Sequence, residues 1–459
     1  MDSTPLYSDL VLIGGGHAHI HLLKMFGMPS SENPNGSSDL LPGIRLTLIT
    51  KDVLTPYSGM LPGYVAGHYS YEDAHIDLSR LCAFSGFRLI HASAKGIEMD
   101  SNGKSGRVVI EGDRTDVRFD VLSIDVGSSP MKVGGGGDEW VTPVKPIDEF
   151  GRVWEGLVER VGKGDKGGTF EVGIVGGGAG GVELALSVQH KLKTLHPNVK
   201  VTIVARTEIM SSHNEKVREV FKRILSERSV RVITHTSATS VTSNTSSSPP
   251  SKDLHFTQSP AAPTPTPSPL QFNEILWCTS ASAQGWLKSS TPLATTPSGF
   301  ISVNSFYQTS IPTIFAAGDC ATNPSSPRPK AGVFAVRAGP FIKQNLLNTL
   351  LGEPLVPHEP QSEFLGIIST GDKYAVASRG EEGCLEGAWA WKLKDTIDVT
   401  WMKGYKELPE MVDDTVMPPI VLAKGIKAMA AFAEAPMRCG GCGAKVASSV
   451  LNRVLKKVS

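Results

Sequence analysis

The sequence lacks two features that would point to particular surroundings: a long apolar run and an excess of charge of one sign. No stretch approaches the roughly 20 consecutive apolar residues that a membrane-spanning helix needs. The 459 residues carry 45 basic and 45 acidic side chains, so the formal net charge is zero. This balance argues against nucleic acid as a main ligand. The apolar fraction of 40% is typical of a globular protein with large buried cores.

A disulfide framework, metal-binding patterns and a targeting segment are missing as well. The six cysteines are scattered until the last pair, which excludes a disulfide-stapled scaffold. His17, His19 and His21 alternate, so on a helix they point in different directions, and we expect no metal site. The first apolar strand begins within ten residues of the start, which leaves no room for a secretory or transit peptide. We therefore expect a cytoplasmic protein.

Two glycine-rich turns are the most informative feature of the chain. Each follows a short apolar strand and precedes a segment with helical spacing, an arrangement in which backbone N–H groups and a helix N-terminus bind a pyrophosphate. The first turn contains Gly14, Gly15, Gly16, His17 and Ala18. The second turn contains Gly176, Gly178, Ala179, Gly181 and Glu183. Two such turns in one chain predict two dinucleotides held face to face.

Residues near the turns leave the details of nucleotide binding open. His19 stands where the first turn would have its third glycine, which implies a wider packing or a shifted helix. After the next strand, Lys51 could reach a phosphate, or Asp52 could bind a ribose. The strand after the second turn is followed by Arg206 rather than by the acid typical of NAD-selective sites. Arg206 could pair with a 2′-phosphate or be an ordinary solvated side chain, so NADH and NADPH both remain open.

An aspartate motif follows a further apolar strand. Gly318 and Asp319 come directly after the segment 314–317, where a carboxylate can hydrogen-bond the ribityl hydroxyls of FAD. An aspartate also suits a helix N-cap, and both roles can hold together. The segment 331–339, which includes Val333 and Phe334, predicts a helix start made mainly of small residues. Such a start lets a flavin ring lie against the helix end, whose dipole favours negative charge.

Hydrophobic spacing predicts the order of strands and helices. We expect strands at 9–13, 44–50, 119–126, 199–205, 230–234 and 274–278, and helices at 17–26, 148–161, 182–195 and 215–227, with a further helix ending at 346–351. Residues 27–43 predict a polar, turn-rich insertion. Residues 242–270 are mostly Ser, Thr and Pro, which predicts a disordered surface loop.

The order of these motifs resembles that of flavoproteins with two dinucleotide-binding domains, and more closely that of the type II NADH dehydrogenases. The likeness extends over about residues 8–435 and includes the segments 125–128 and 277–279. It implies an α/β fold with two Rossmann-like dinucleotide-binding domains and a smaller C-terminal α+β region. It also implies that FAD is held by the first turn together with Lys51, Pro56, Gly127, Gly318, Asp319, Val333 and Phe334. By the same likeness, the second turn and Arg206 hold NADH or NADPH.

The same resemblance implies a division of the chain. An FAD-binding domain would comprise 1–148 and 300–352, an NAD(P)-binding domain 149–299, and a C-terminal domain 353–435. Disulfide reductases of this superfamily carry paired cysteines beside the flavin, and no such pair lies near either turn here. We therefore expect electrons to pass from the nicotinamide to FAD and directly to a small-molecule acceptor, with no catalytic side chain required. A non-catalytic flavin-binding module is the alternative, and the oligomeric state does not follow from the sequence.

The tail of the chain carries a second resemblance. Residues 436–459 resemble the N-terminal active segment of selenide, water dikinase (selenophosphate synthetase), in which a cysteine precedes an essential lysine by three residues, as Cys442 precedes Lys445. This implies the truncated start of a fused synthetase, a link to selenium metabolism, or, as an alternative, a fragment of a bifunctional synthetase. The segment 418–435 favours a helix packed on the core and leaves peripheral membrane contact as an alternative.

Overall fold

Two parallel sheets carry the two glycine turns. The computed structural model describes residues 8–28, 43–164, 166–244 and 251–409. The strands, in chain order, are β1 (Ser8–Ile13), β2 (Ile44–Thr50), β3 (Leu54–Pro56), β4 (His75–Asp77), β5 (Arg88–His91), β6 (Ala94–Met99), β7 (Gly106–Ile110), β8 (Val117–Phe119), β9 (Val121–Ile124), β10 (Ser129–Pro130), β11 (Thr142–Pro143), β12 (Phe170–Val175), β13 (Val199–Val204), β14 (Arg231–Ile233), β15 (Thr236–Asn244), β16 (Ser251–Gln258), β17 (Leu270–Phe272), β18 (Glu274–Trp277), β19 (Ala281–Ser282), β20 (Ile301–Ser302), β21 (Ile314–Ala316), β22 (Ala321–Thr322), β23 (Gly366–Ser369), β24 (Ala375–Arg379) and β25 (Gly383–Gly387).

The helices connect these strands and cover the sheets. In chain order they are α1 (His17–Gly27), α2 (Leu61–Ala66), α3 (Leu78–Ser85), α4 (Ile147–Lys163), α5 (Ala179–Lys193), α6 (Glu215–Glu227), α7 (Trp286–Ser289), α8 (Gly332–Leu351) and α9 (Ala388–Lys406). Short 3-10 turns lie at Asp138–Trp140 and Gly318–Cys320.

The first parallel sheet has the strand order β21-β9-β1-β2-β5. Its central strand β1 is apolar on both faces because each face is covered. Leu10 and Leu12 join the core that includes helix α1, whereas Val11 and Ile13 join the core under the antiparallel strands β6, β7 and β8. The chain leaves β1 for β2 on one side and returns to β9 on the other, so the sheet has its switch point beyond the carboxyl ends of these strands. Ligands bind at such a point in open α/β sheets.

The second parallel sheet repeats this plan with the order β11-β18-β12-β13-β14. Strand β12 lies at its centre between β13 and β18, and helix α5 follows β12 directly. The second glycine turn therefore stands at the equivalent switch point. The prediction of an α/β fold with two Rossmann-like units is confirmed by these two sheets.

Each parallel sheet is accompanied by a three-stranded antiparallel sheet, and the second of these corrects a prediction. The prediction of a disordered loop at 242–270 is wrong for the described segment 251–258, where strand β16 pairs with β15 on one side and β17 on the other. Val241, Leu254 and Phe272 are buried in the core of this sheet. The prediction failed because these few apolar residues alternate with Ser and Thr, which a half-buried strand accepts.

A second correction concerns the segment 119–126. It is two elements rather than one strand: β8 ends at Phe119 in the antiparallel sheet, and β9 begins at Val121 in the parallel sheet. Asp120 marks the break, where its carboxylate accepts a hydrogen bond from the backbone N–H of Asp9 at 2.8 Å. The other predicted strands and helices match observed elements, with ends that shift by a few residues.

The C-terminal region consists of the antiparallel sheet β23-β24-β25 and helix α9. Among the residues that the structure describes, no helix is long and apolar enough to cross a membrane. The segment 418–435, the cysteine pair and Lys445 lie outside the described residues, as does most of the insertion predicted at 27–43.

Candidate functional site

The first glycine turn is shaped by contact with the loop that follows β9. Gly14 has a φ of +90°, and a side chain on it would collide with the backbone carbonyl of Asp125. A side chain on Gly16 would collide with the carboxyl group of Asp125. Glycine is therefore required at both positions. Gly16 is the N-cap of α1 and has no side chain that could cap the helix, so the N–H groups at this end bind acceptors from outside the helix.

Asp125 is a buried carboxylate at this helix end, and sequence reasoning did not select it as a site residue. Its Oδ2 accepts a hydrogen bond from the N–H of Ala18 at 2.9 Å. Burial raises the pKa of Asp125 to about 7, the negative charge of Asp319 adds to the rise, and backbone N–H donors oppose it. An acid directly after a buried apolar strand was the signal that could have identified it.

His19 fills the position of the missing third glycine with a buried, hydrogen-bonded ring. Its Nδ1–H donates to the carbonyl of Gly14 at 2.8 Å, which leaves Nε2 to accept from the hydroxyl of Ser123 at 2.8 Å. Burial lowers the pKa of His19 to about 4, so the ring is neutral near pH 7. The imidazole thus ties the turn to strand β9, and helix α1 still begins at His17, as expected.

A cavity of about 590 Å³ opens at the carboxyl ends of β1, β2 and β9. This volume lies within the range of cofactor pockets. The structure brings most of the predicted FAD residues into its lining, namely Gly14, Gly15, Gly16, His17, Lys51, Pro56, Gly127, Gly318 and Asp319. Three predicted residues do not line this cavity. The N–H of Ala18 instead donates to Asp125. Val333 is half-buried in the first turn of α8. Phe334 lines a smaller adjoining cavity, which is also lined by Asp319.

Asp319 faces this cavity in a polar cluster that includes a lysine missed in the sequence. Lys145 Nζ lies 2.9 Å from Asp319 Oδ2, and the hydroxyl of Ser128 donates to the same oxygen at 3.0 Å. Asp319 does not cap α8, whose N-cap residue is Ala331. Asp319 therefore lines the cavity with the cationic side chain of Lys145 beside it.

His17 lines the cavity with a buried Nε2 that has no hydrogen-bond partner among the described residues. Burial lowers its pKa to about 4, while the charge of Asp319 acts in the opposite direction. Its ring lies 5.4 Å from the ring of Tyr57, whose hydroxyl donates to Asp398 Oδ1 at 3.1 Å. A buried imidazole nitrogen without a partner next to a cavity is a polar group left for a ligand.

Helix α9 holds the loop that borders this cavity. Lys394 Nζ lies 2.6 Å from Asp398 Oδ2 and also donates to the carbonyl of Gly59 at 2.6 Å. Both side chains of this ion pair are largely buried, at 13% and 5% exposed. The loop residues Tyr57 and Gly59 are thus fastened to α9 from the side of the C-terminal region.

The second glycine turn requires glycine for the same steric reasons as the first. Gly176 has a φ of +134°, and a side chain on it would collide with the carbonyl of Cys278. A side chain on Gly181 would collide with the carbonyl of Gly176, so helix and strand approach closely there. Gly178 is the uncapped N-cap of α5, with open space on its side-chain position, and Ala179 begins the helix. This helix end is therefore accessible to a second pyrophosphate.

Glu183 and Arg206 occupy different surroundings near this turn. Glu183 is half-buried on α5 and accepts a hydrogen bond from the N–H of Ser369 at 2.7 Å. Burial raises its pKa, and the positive charge of Lys394 opposes the rise. Arg206 follows β13 and is exposed, whereas the nearby Glu208 is paired with Lys222 and His235, each at 3.1 Å. Glu183 thus contacts strand β23, whereas Arg206 lies exposed after the end of β13.

The four described cysteines are free thiols, at Cys82, Cys278, Cys320 and Cys384. Burial raises the pKa of Cys82 and Cys320 to about 12 and that of Cys278 to about 11, which keeps them as unreactive thiols near pH 7. Within the described ranges, no cluster of His, Cys, Asp or Glu is arranged to hold a metal ion.

Comparison with known proteins identifies the family of this architecture. Residues 8–339 match the model of the pyridine nucleotide-disulphide oxidoreductase family. No curated protein matches the sequence.

Solved structures with the same fold include several oxidoreductases. The sulfide:quinone oxidoreductase of Aquifex aeolicus has a TM-score of 0.67 at 16% identity, with 87% of this chain and 91% of that chain covered. NDH2 of Plasmodium falciparum in complex with NADH has a TM-score of 0.68 at 13% identity, with coverage of 88% and 99%. An engineered water-forming NADPH oxidase, a mutant of the Lactobacillus brevis NADH oxidase, has a TM-score of 0.59 at 18% identity, with coverage of 80% and 74%.

Proposed function

The chain belongs to the pyridine nucleotide-disulphide oxidoreductase family, and from this premise we propose that it passes electrons from NAD(P)H through FAD directly to an external small-molecule acceptor. Membership of the family makes it an FAD-dependent oxidoreductase that uses a nicotinamide dinucleotide. A non-catalytic flavin-binding module, the alternative left open by the sequence, does not fit this family. The proposal is that electrons pass directly from FAD to the acceptor. The observation that supports it is that the four described cysteines are free thiols.

The residues around the larger cavity fit FAD. The N-terminus of α1, where Asp125 occupies only part of the available N–H groups, and the glycines that no side chain could replace are suited to a pyrophosphate. Asp319 would accept hydrogen bonds from ribityl hydroxyls, with Lys145 and Ser128 holding its carboxylate in place. His17 would offer its unpartnered ring nitrogen to the same ligand. The uncapped N-terminus of α5 is suited to the pyrophosphate of NAD(P)H.

Bound FAD supplies the redox chemistry, since it accepts a hydride and can give electrons onward. The chain supplies binding and orientation: the first turn and Asp319 hold one dinucleotide, and the second turn holds the other. The fastening of Tyr57 and Gly59 to α9 keeps the bordering loop in place. No two of the described cysteines form a disulfide, and Cys278, the thiol beside the second turn, has a pKa raised to about 11. A sulfur relay therefore has no support in the described part of the chain.

Cysteine substitution tests this route. We expect Cys82→Ala and Cys278→Ala each to keep the rate of NAD(P)H oxidation with a dye acceptor within about twofold of the unmodified protein, because neither thiol carries electrons. Asp319→Ala serves as the positive control and should lose bound FAD and activity together. A fall of about 100-fold in either cysteine variant, with FAD retained, would show that a thiol takes part.

We further propose that the enzyme prefers NADPH over NADH. Ala205 and Arg206 follow strand β13, and the nearest acid, Glu208, is already bonded to Lys222 and His235. A guanidinium without a competing carboxylate suits a 2′-phosphate. The engineered oxidase that was solved with NADPH supports this, because its substitutions include aspartate to alanine and, at the next position, alanine to arginine.

The acceptor and its biological setting remain predictions. The tail that resembles a selenophosphate synthetase is the sole basis for a selenium acceptor, and the family match ends at residue 339, well before it. Anaerobic reduction of a selenium compound by NADPH and the purified protein would support this link, and turnover restricted to quinones or oxygen would remove it. Whether the tail forms part of a bifunctional synthetase, and whether the protein is cytoplasmic, are likewise untested predictions.

A further inference from the structure

Asp125 brings a carboxylate to the helix end that the proposed function assigns to a pyrophosphate. Its Oδ2 accepts from the N–H of Ala18, one residue into α1, and the residue lines the cavity together with Gly14, Gly16 and Asp319. The carboxyl group fills the space that side chains on Gly16 and Gly318 would need. It is therefore fixed between the first turn and the Asp319 loop and cannot move aside when a ligand enters.

We propose that Asp125 is a dinucleotide-binding residue that takes up one proton when FAD binds, so that a neutral carboxyl group shares the N-terminus of α1 with the pyrophosphate. This inference rests on the proposed function, because it assumes that FAD occupies the larger cavity. It adds a role that the glycine turn alone does not have, namely a proton that is bound together with the cofactor.

The physical reason is competition between two anions for one site. A helix N-terminus stabilises about half an elementary charge. An ionised Asp125 already uses part of that stabilisation, and a pyrophosphate brings further negative charge into the same poorly hydrated region. Two anionic groups that share a site cannot both stay ionised without cost, so the weaker acid is protonated. The pyrophosphate is the stronger acid, which leaves Asp125 to accept the proton.

The two histidines and the cysteine close to Asp125 keep their charge near pH 7. On α1, burial lowers the pKa of both His17 and His19 to about 4. On the loop after β21, burial raises the pKa of Cys320 to about 12, and the Asp319 carboxylate is held by Lys145. His17, His19 and Cys320 are therefore not expected to contribute to proton uptake between pH 6 and 9.

The pKa of Asp125 determines how the affinity for FAD changes with pH. Burial raises the pKa of Asp125 in the protein without cofactor to about 7. Below that pH the carboxyl group is already neutral, and the affinity for FAD does not vary with pH. Above it, binding has to recapture a proton, so the Kd for FAD rises about tenfold per pH unit.

Calorimetry of FAD binding tests the proposal on the full chain after removal of FAD. Titrations at pH 8 in buffers of different ionisation enthalpy give the number of protons taken up, and flavin fluorescence gives Kd from pH 6 to 9. The variant is Asp125→Asn, which mimics the neutral carboxyl group in shape. The matched control is Asp113→Asn, at an exposed position in a loop. Thermal melting of each variant shows whether it is folded.

The unmodified protein and the Asp113 variant should take up about one proton at pH 8, and their Kd should rise about tenfold from pH 7.5 to 8.5. Asp125→Asn should take up none and bind FAD independently of pH. Equal proton uptake in the Asp125 variant, or none in the unmodified protein, would overturn the inference; the second result decides even if the variant does not fold. Failure of the unmodified protein to bind FAD at any pH would instead reject the proposed function.

Discussion

His19 performs at the residue scale a task that dinucleotide-binding turns usually leave to a glycine. A third glycine lets the helix pack closely on the strand, whereas the His19 ring lies buried beneath the turn. It bonds the carbonyl of Gly14 and the hydroxyl of Ser123, and so connects the turn to β9. The contribution of this residue is therefore to stability of the turn rather than to chemistry.

The buried imidazole predicts a pH-dependent stability difference. Burial lowers the pKa of folded His19 to about 4, below the ordinary value of 6.5. Its stabilising contribution is thus fully present above pH 6.5 and is lost as the pH falls toward 4, because the unfolded chain then binds a proton that the folded protein does not. We expect the free energy of unfolding of the unmodified protein, minus that of His19→Gln, to fall by about 3 kcal/mol at most between pH 7 and 4.

Urea denaturation at several pH values measures this difference. Asp125 and His17 titrate in the same range but are present in both proteins, so their effects cancel. His255→Gln, on strand β16, is the control. A pH-independent difference for His19→Gln would show that the ring is not held neutral.

Two residues that line the cavity, Asp125 and Lys145, were not predicted from the sequence. Lys145 bonds Asp319, which lies 174 residues away in the sequence, and Asp125 bonds Ala18, which lies 107 residues away. Neither belongs to the glycine turns. Asp125 has a local signal only in its position directly after a buried strand, and the role of Lys145 follows from a tertiary contact that local spacing does not encode. The glycines were predictable because their requirement is local: a positive φ or a close backbone approach.

At the scale of elements, helix α9 acts as a clamp on the loop beside the cavity. The Lys394–Asp398 pair is buried, and it joins Tyr57 and Gly59 to the C-terminal region. A buried ion pair adds little net stability over apolar residues, but removal of one partner leaves an uncompensated buried charge. The clamp is therefore sensitive to single substitutions.

We expect Asp398→Ala to lower the free energy of unfolding by about 3–5 kcal/mol, because Lys394 is left charged and unpaired. The double variant Lys394→Met with Asp398→Leu should recover most of this loss. Glu159→Ala, which breaks the exposed pair with Lys163 on α4, should cost no more than about 1 kcal/mol. Chemical denaturation measures all three. Equal losses for the buried and the exposed pair would contradict the clamp.

The end of strand β13 determines the nicotinamide preference in this account. We expect Arg206→Ala to lower kcat/KM for NADPH by about 10–100-fold, the loss of a charged hydrogen-bonding group, with kcat/KM for NADH nearly unchanged. Arg152→Ala, an exposed arginine on α4, is the control and should change neither value. Steady-state kinetics with both nucleotides measures the ratio. A parallel fall for NADH and NADPH would exclude 2′-phosphate recognition by Arg206.

At the scale of the whole molecule, the two glycine turns at the switch points of two parallel sheets explain why the fold could be predicted from the sequence. Strands β1 and β12 were predictable because each is a buried apolar run that ends in a glycine turn. The sheet formed by β15, β16 and β17 was not, because Ser and Thr dominate its sequence and its burial depends on partners elsewhere in the chain. Composition predicts disorder well when apolar residues are few, but alternation can still bury those few on one face.

The central claim is that a nicotinamide reduces FAD in this protein with no sulfur relay between FAD and the acceptor. Anaerobic titration of the FAD-loaded protein with NADPH tests it most directly. The account predicts that the visible flavin absorption bleaches completely at about one NADPH per FAD, since FAD takes up two electrons and the four described cysteines form no disulfide. A requirement for about two equivalents would reveal a redox-active disulfide, and a flavin that stays oxidised with both NADPH and NADH would contradict the account altogether.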